Sequence, residues 1–595
     1  MKLAVAFAVA IACSAVQGSP VEKASHYVRV EGVDAVCQSA NLHHGGTMDV
    51  EKLKALCDAN EACLGFHSNG MLKKDTSIGC QSNDLANGAA LYLKRSESPD
   101  AAQLPVLPVP TSATMGTAAA TIASNFVFAT KTTSDDVRQF MATASAEYWS
   151  LIITHKSNNN KTTTGLTGMN IIVDSTDMSL GLTTDESYKL SIPSSGAVTL
   201  TAANVFGARH GLETFSQLVV FDVESETYMV ANTPIEVDDK PRFPHRGILL
   251  DTSRHYHSLP TIKRFVRSLS HAKLNVFHWH IVDSQSFPLQ LHSLPNIVKG
   301  AYTPEEIYTP EDVADIVAYS KLHGVRVIPE FDTPGHAGSW CTGYPEICPS
   351  PSCTQPLNPA TNQTFDVIGK LITECKGLFT DDYFHLGGDE VNPSCWNKTD
   401  SIRTWMTEKK FSTDDAYKYF VAVTHALARS LGRKSVHWEE VFNHFGGSLD
   451  KDTIFQVWLS HATAAKIVAE GYQCILSNQD VWYLDHLTIS WQQFYGNDPY
   501  MGITDPKQQQ LMMGGETCMW SETVDDSDLF NTVWPRAAAA AERLWSPATV
   551  VSTEAFQPRL ASFRCLLTRR GIGAAAIGNK QARSAPPGPG SCFSQ

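Results

Sequence analysis

The chain is predicted to be an α/β protein: a parallel (β/α)8 TIM barrel over residues 241–595, preceded by an accessory α/β domain and a small disulfide-rich N-terminal module. Three observations predict this. After Pro241, eight apolar, strand-like runs recur, most of them separated by helical stretches, and strands that alternate with helices pair in parallel. Nearly every one of those runs begins apolar and finishes in acids, His or Trp, as strand ends around one rim would. Upstream, Cys37, Cys57, Cys63 and Cys80 crowd a segment too short to bury much core of its own, the usual setting of disulfide staples. At 595 residues the chain exceeds a single core, and its 43% hydrophobic residues leave ample material for several.

From the N-terminus, residues 1–18 read as a secretory signal: Lys2, an apolar stretch, then small residues suited to cleavage near Gly18. No later run is long and apolar enough to cross a bilayer, so no integral membrane span is expected. A formal charge of −14 and no basic cluster argue against a nucleic-acid partner. Residues 22–97 form the Cys-rich module, whose CDANEACLGFHSNG resembles the PAN/apple type of adhesive domain. Its expected role is to bind a glycan or a protein, a folding appendage being the alternative. Residues 98–116, which include QLPVLPVPTSATMG, are Pro-rich and aperiodic and are expected to form a semi-rigid linker. The accessory α/β domain spans 117–240. There DESYKLSIP alternates apolar with polar residues, and NVFGARHGLETFSQLVV has a helical apolar face. It carries no constellation of reactive side chains.

The eight barrel runs are RGILLDTS, NVFHWHIVD, VRVIPEFD, YFHLGGDEV, SVHWEEVF, TIFQVWLS, QCILSN and MMGGETCMWSE. Helices between them are punctuated in the expected way. Thr309-Pro310-Glu311 supplies a cap and a first-turn proline for a helix that Gly324 closes, and Ser412 with Asp414 and Asp415 opens another that ends near Gly432.

The strand ends are rich in carboxylates and indoles, with Arg254 prominent and no nucleophilic Ser or Cys motif. Indole faces stack on sugar C–H surfaces while acids and Arg bond hydroxyls, so the rim suits a carbohydrate. In HLGGDEVN, Asp389 stands beside Glu390, where each makes the other harder to ionise. That placement makes sense if one is to be charged and the other protonated. Glycoside hydrolysis ordinarily uses two carboxyl groups about 5–5.5 Å apart when retaining. Neighbours on a strand point to opposite faces, so Asp389 and Glu390 are not expected to flank one anomeric carbon. One would protonate the leaving oxygen while the other handles a different part of the sugar. Two alternatives stay open. A metal-dependent barrel hydrolase could use His278 and His280, which lie on one face of their strand, with Asp283. The later strand ends offer Trp and acids in place of further ligands, so no metal and no cofactor is expected. A secreted glycan-binding protein without catalysis is the other alternative.

RGILLDTSRHY, HWHIVDSQSFP, PEFDTPGHAGSW, HLGGDEV, WYLD and GGETCMWSE together resemble the family 20 β-N-acetylhexosaminidases, and DESYKLSIP and GARHGLETFSQL resemble that family's accessory domain. The resemblance implies exo-acting, retaining hydrolysis of terminal non-reducing β-linked N-acetylhexosamine. The substrate would be a GlcNAc or GalNAc terminus of an oligosaccharide, glycoprotein or glycolipid. The nucleophile is then the substrate's own 2-acetamido oxygen, and an oxazolinium intermediate forms. Carried over, Glu390 is the general acid and then base, Asp389 orients the acetamido N–H and stabilises the developing positive charge, and Tyr483 bonds the acetamido carbonyl. Asp283 and His336 would form a relay that keeps Glu390 protonated at working pH. Arg254 would bind the 3- and 4-hydroxyls, Glu522 the 4-hydroxyl and Asp485 the 6-hydroxyl. Trp438, Trp458 and Trp520 would wall the pocket, with Trp520 its floor. An acid at Asp485 implies a preference for sugars that are neutral at the 6-position. The family motif often reads VDDQ; here it is VDSQ, with Ser284 in place of the second acid while Asp283 is kept.

The resemblance also implies the bridges Cys353–Cys395 and Cys565–Cys592, and proximity suggests Cys341–Cys348. Cys518 is expected to be a buried, inert thiol, and Cys375 and Cys474 stay unassigned. Once Cys13 has left with the signal the cysteine count is odd, so at least one thiol is free or bonded to another chain. Sequons at Asn160, Asn362 and Asn397 fit a secretory route ending in the lysosome or outside the cell. The family's frequent dimers make a homodimer an expectation.

Overall fold

A computed structural model describes residues 104–155, 164–222 and 224–577 with their side chains, and the backbone of seven short strands between residues 27 and 94. The signal segment, the side chains of the 22–97 module, Asn160 and Cys592 lie outside the described residues. The chain divides into two compact units, Met1–Ala102 and Gln103–Gln595. In the first, β1 (Tyr27–Glu31), β3 (Asn41–His44), β4 (Gly65–His67), β5 (Met71–Lys73) and β7 (Ala90–Lys94) form an antiparallel sheet in the order β1-β7-β4-β5-β3. The short strands β2 (Asp34–Ala35) and β6 (Gln81–Ser82) pair separately.

The Pro-rich stretch expected to be a linker as far as residue 116 belongs instead to the second unit from Leu104 onward. Leu104, Val106 and Leu107 are buried. The Gln217 carboxamide clamps Leu107, accepting from its N–H at 2.8 Å and donating to its carbonyl at 2.9 Å. The accessory domain thus starts about a dozen residues before 117. Prolines remove ladder donors without preventing burial, which is why the stretch looks like a spacer in sequence.

The accessory sheet holds β8 (Ser112–Lys131), β9 (Leu166–Val173), β10 (Tyr188–Ile192), β11 (Gly196–Ala202), β12 (Val219–Asp222) and β13 (Thr227–Asp239), in the order β10-β11-β9-β8-β13-β12. Helices Asp135–Ile152 and Val205–Leu218 pack on it, capped by Ser134 and Asn204. The second helix is buried almost all round, because its far side meets the barrel. Among the described residues, three Lys or Arg ion pairs cross that junction. Arg246 donates to Glu186 at 2.8 and 2.9 Å, Lys273 to Asp239 at 2.9 Å, and Arg570 to Glu213 at 2.8 and 3.0 Å.

The barrel strands are β14 (His245–Asp251), β15 (Val276–Val282), β16 (Arg326–Phe331), β17 (Tyr383–His385), β18 (Lys434–Trp438), β19 (Ile454–Val457), β20 (Gln473–Leu476) and β21 (Met512–Met519). All are parallel, and β21 pairs back onto β14 to close the ring. Each of the eight apolar runs supplies one strand. Thr309 and Ser412 form capping boxes with Asp312 and Asp415 at the helices Pro310–Leu322 and Thr413–Ser430. The interior is layered. An apolar floor includes Val276, Ile328, Val436, Ile454 and Met513. A charged hydrogen-bonded layer sits on it, and Leu249, Trp438, Tyr483 and Cys518 lie at the top with Trp458 and Trp520.

Candidate active site

Because the strands are parallel, whatever follows each strand's last residue lands on one rim. Arg254 comes three residues after β14 and Asp283 one after β15, and His336 lies in the loop after β16. Asp389 and Glu390 follow β17, Trp438 ends β18, Trp458 follows β19, Tyr483 and Asp485 follow β20, and Trp520 and Glu522 follow β21.

Asp389 and Glu390 do not lie on a strand. β17 stops at His385, and the chain turns through Gly387 and Gly388 (φ +66° and +101°) to Glu390 (φ +48°). A β-carbon at Gly387 would sit 1.8 Å from the Asp332 carboxylate, so only glycine fits there. Gly388 N–H donates to Asp332 at 2.9 Å, and the Tyr417 hydroxyl donates to the Gly388 carbonyl. Alternation between faces therefore does not separate the pair. Both acids converge on one nitrogen: His336 Nε2 is 3.5 Å from Asp389 and 3.4 Å from Glu390. The opposite ring nitrogen, Nδ1, bonds Asp283 at 3.2 Å.

Burial disfavours the His336 cation, but Asp389, Asp332, Asp283 and Glu390 outweigh it and hold the imidazolium far above an ordinary histidine. Glu390 is drawn below the usual carboxylate range, chiefly by its hydrogen bond from His336. This balance favours the proton on the His336 imidazole and the anionic form of Glu390, whose side chain is 60% exposed. This differs from the expectation that Asp283 and His336 keep Glu390 protonated. Asp332 is pushed well up by burial and by the neighbouring Asp389 carboxylate. One buried Asp389 oxygen, Oδ1, has no partner among the described residues, and neither does Asp485 Oδ1.

Arg254 is held on three sides, by Asp251 at 3.1 Å, Asp283 at 2.9 Å and Gln285 at 3.1 Å, and it lies over the Trp520 ring at 5.2 Å. Glu522 is 4.0 Å away. Tyr483 stacks on Trp458 at 6.3 Å and meets Trp520 at 6.2 Å, and Trp438 completes the aromatic wall 6.1 Å from Trp520. Asp485, raised above the ordinary range by burial, stands 3.8 Å from His486.

The HxH pair lies below this pocket. His280 bonds Glu330 at 2.6 Å and Asp283 at 2.8 Å, and His278 sits between Glu516 at 2.9 Å and Glu330 at 3.1 Å. Glu330 also receives the Trp438 indole N–H at 2.7 Å and faces His385 at 3.0 Å. His278, Glu330 and His385 could reach a common ion; Glu330 is already engaged by His280, His385 and the Trp438 indole, while His278 Nε2 and His385 Nε2 have no hydrogen-bond partner among the described residues. The two histidines serve as fully buried supports for Trp438 and Asp283.

Cys353–Cys395 and Cys341–Cys348 are bonded, and Cys375, Cys474 and Cys518 are free and buried. Cys565 is disulfide-bonded, while its expected partner Cys592 lies outside the described residues. Asn362 and Asn397 are exposed.

Sequence reasoning gave no role to Asp251, Asp332 or Glu440. Glu440 accepts the Trp458 indole N–H at 3.0 and 3.1 Å, and burial with the nearby Asp389 pushes its pKa up to about 8. The available signal was an acid at the end of each run, without anything to say which one pairs with what.

The sequence matches the family described as glycosyl hydrolase family 20, catalytic domain, over residues 243–548, and the one described as beta-acetyl hexosaminidase like over 106–218. Beta-hexosaminidase 1 of Arabidopsis thaliana is 48% identical over 440 residues, covering 72% of this chain and 81% of that one. Beta-hexosaminidase subunit B2 of Dictyostelium discoideum is 37% identical over 540 residues, covering 86% and 94%. Among solved structures, a chitobiase of Flavobacterium johnsoniae aligns with a TM-score of 0.70 at 28% identity, over 79% of this chain and 73% of that one.

Proposed function

The chain belongs to glycosyl hydrolase family 20, and on that premise we propose that it removes terminal, non-reducing β-linked N-acetylhexosamine from glycans by a retaining, substrate-assisted mechanism. The observation that carries this reading is the convergence of Asp389 and Glu390 on His336 Nε2, with Asp283 behind it and Arg254 and four aromatic rings around the same rim.

The acetamido oxygen attacks the anomeric carbon while Glu390 gives a proton to the departing oxygen. Asp389 receives the acetamido N–H, for which its unpartnered oxygen is suited, and balances the positive charge of the oxazolinium. Tyr483 bonds the acetamido carbonyl. Glu390 then takes a proton from the water that opens the ring. Its acid form is armed by substrate: an aglycone seated over the exposed carboxylate desolvates it, and the proton held on His336 moves across 3.4 Å. Arg254 and Glu522 take the 3- and 4-hydroxyls, and Trp520 floors the sugar. Asp485 takes the 6-hydroxyl, so sugars neutral at that position are preferred. The same reading sends the chain through the secretory pathway to the lysosome or outside the cell, with glycans on the exposed Asn362 and Asn397. It extends by resemblance to a homodimer and to a binding role for the 22–97 module.

The test compares an aryl β-N-acetylglucosaminide with the matching aryl β-glucoside, each with and without EDTA. Rapid, EDTA-insensitive cleavage of the acetamido sugar alone is expected. Equal cleavage of both would require a second protein carboxylate as nucleophile, and loss of activity in EDTA would return catalysis to the buried histidines.

A further inference from the structure

Asp283 and His336 sit on separate loops, the first on the turn after β15 and the second on the loop after β16, and one side chain ties those loops together. The Gln355 carboxamide oxygen accepts three hydrogen bonds: from Ser284 Oγ at 2.7 Å, from Ala337 N–H at 3.0 Å and from Gly338 N–H at 3.1 Å. Ser284 directly follows Asp283, and Ala337 directly follows His336. His336 has φ +49°, a left-handed conformation unfavourable for a residue with a β-carbon, so its backbone needs outside support. The two amides bound by Gln355 are the ones that supply it.

Gln355 is itself held in place. Two residues before it, Cys353 is bonded to Cys395, just beyond the turn that carries Asp389 and Glu390. After it, the Trp396 indole donates to the carbonyls of Pro356 at 3.2 Å and Leu357 at 3.0 Å, and Leu357 N–H donates to Pro334 at 2.9 Å. The segment presenting Gln355 is thus fastened to the same stretch of chain that presents Glu390.

Ser284 stands where the family's motif often has a second acid. An aspartate there would press carboxylate oxygens against the Gln355 oxygen, acceptor on acceptor with no proton between them. A serine hydroxyl donates instead, so the departure at 284 and the glutamine at 355 make physical sense as a pair.

We propose that Ser284 and Gln355 form a lock that sets the spacing of Asp283 and His336 relative to Glu390 and thereby the efficiency of proton delivery to the leaving group. Neither side chain is a catalytic residue; both are positioning residues. The inference rests on the proposed role of Glu390 as the acid.

The experiment measures kcat and KM for Q355L, Q355E, S284A and S284D on aryl β-N-acetylglucosaminides with a poor and with an activated leaving group. Gln355 is exposed and Ser284 half-buried, so folding is not at stake, and an unchanged melting temperature checks that. Q355L removes the single acceptor of all three hydrogen bonds. It should lose roughly tenfold or more in kcat on the poor leaving group, a fraction of the 10²–10⁴ that a general acid supplies, with little change on the activated one and little change in KM. S284D should behave like Q355L and S284A more mildly. Q355E, which keeps an oxygen in place, should recover most of the lost rate. Equal losses on both leaving groups, no loss, or a Q355E as impaired as Q355L would overturn the lock. Wild-type activity with an unaffected Q355L sinks the lock alone, whereas a wild type inert on every aryl N-acetylhexosaminide sinks the catalytic reading and the lock with it.

Discussion

Exchanging Asp389 for Asn changes one atom and removes one charge, and its cost can be worked out from the site. The side chain is only 13% exposed, so water does little to screen it. Oxazolinium formation places a positive charge near this carboxylate. At a separation of about 5 Å and an effective dielectric near 20, a pair of unit charges is worth roughly 3 kcal/mol. Asparagine keeps the shape but offers an amide, which can turn an N–H toward the acetamido N–H that it should receive. D389N is therefore expected to lower kcat by on the order of 10²–10³. The acetamide attacks as the aglycone leaves, whatever the aglycone is, so the loss should be similar for 4-nitrophenyl and 2,4-dinitrophenyl β-N-acetylglucosaminides. Steady-state kinetics on both, with circular dichroism to check folding, is the assay. A D389N enzyme within about threefold of wild type on either substrate would show that Asp389 neither orients the acetamide nor balances its charge.

Two further outcomes follow from the same geometry. Glu390→Gln should cost roughly 10²–10⁴ on poor leaving groups and far less on activated ones; a loss independent of leaving group would remove Glu390 from the acid role. His278 carries a pH signature for stability. Burial lowers its pKa, yet Glu516 and Glu330 outweigh burial and lift it to about 9. A group raised in the folded state stabilises fully below its unfolded value of about 6.5 and loses that contribution as pH climbs through its folded value, by up to about 1.4 kcal/mol per pH unit. Denaturant unfolding between pH 6 and 9.5 should show a falling slope that is shallower in H278N; identical slopes would refute the assignment.

The barrel was legible because each run couples an apolar start to a polar end, and that coupling survives whichever helix follows. Arg254, Asp389 and Glu390 stood out for the same reason, lying just past strand ends. The inference that strand alternation parts Asp389 from Glu390 failed because β17 ends at His385, and positive-φ turns are not visible in a two-residue pattern. The linker reading failed where Leu104, Val106 and Leu107 pack between prolines, since burial there is set by Gln217 more than a hundred residues away. Asp251 serves Arg254 only once the strand is laid down. Gln355 meets Ser284 across 71 positions, and nothing local to either residue announces the other. The raised pKa of His336 is likewise a property of acidic side chains brought around one imidazole from separate loops.

The three Lys or Arg ion pairs between the accessory domain and the barrel bear on how this protein can be taken apart. Arg246, Lys273 and Arg570 belong to the barrel, and Glu186, Asp239 and Glu213 to the preceding domain, yet all six side chains are buried. Trp545, near the end of the barrel, packs in the core of the accessory domain. A cut at Pro241 would free three cations from their counter-charges and turn an apolar interior surface into an exterior one, an invitation to aggregate. The two domains match separate family models yet are inseparable in thermodynamics: they should melt together, and a minimal enzyme for engineering begins near Gln103 and not at the barrel.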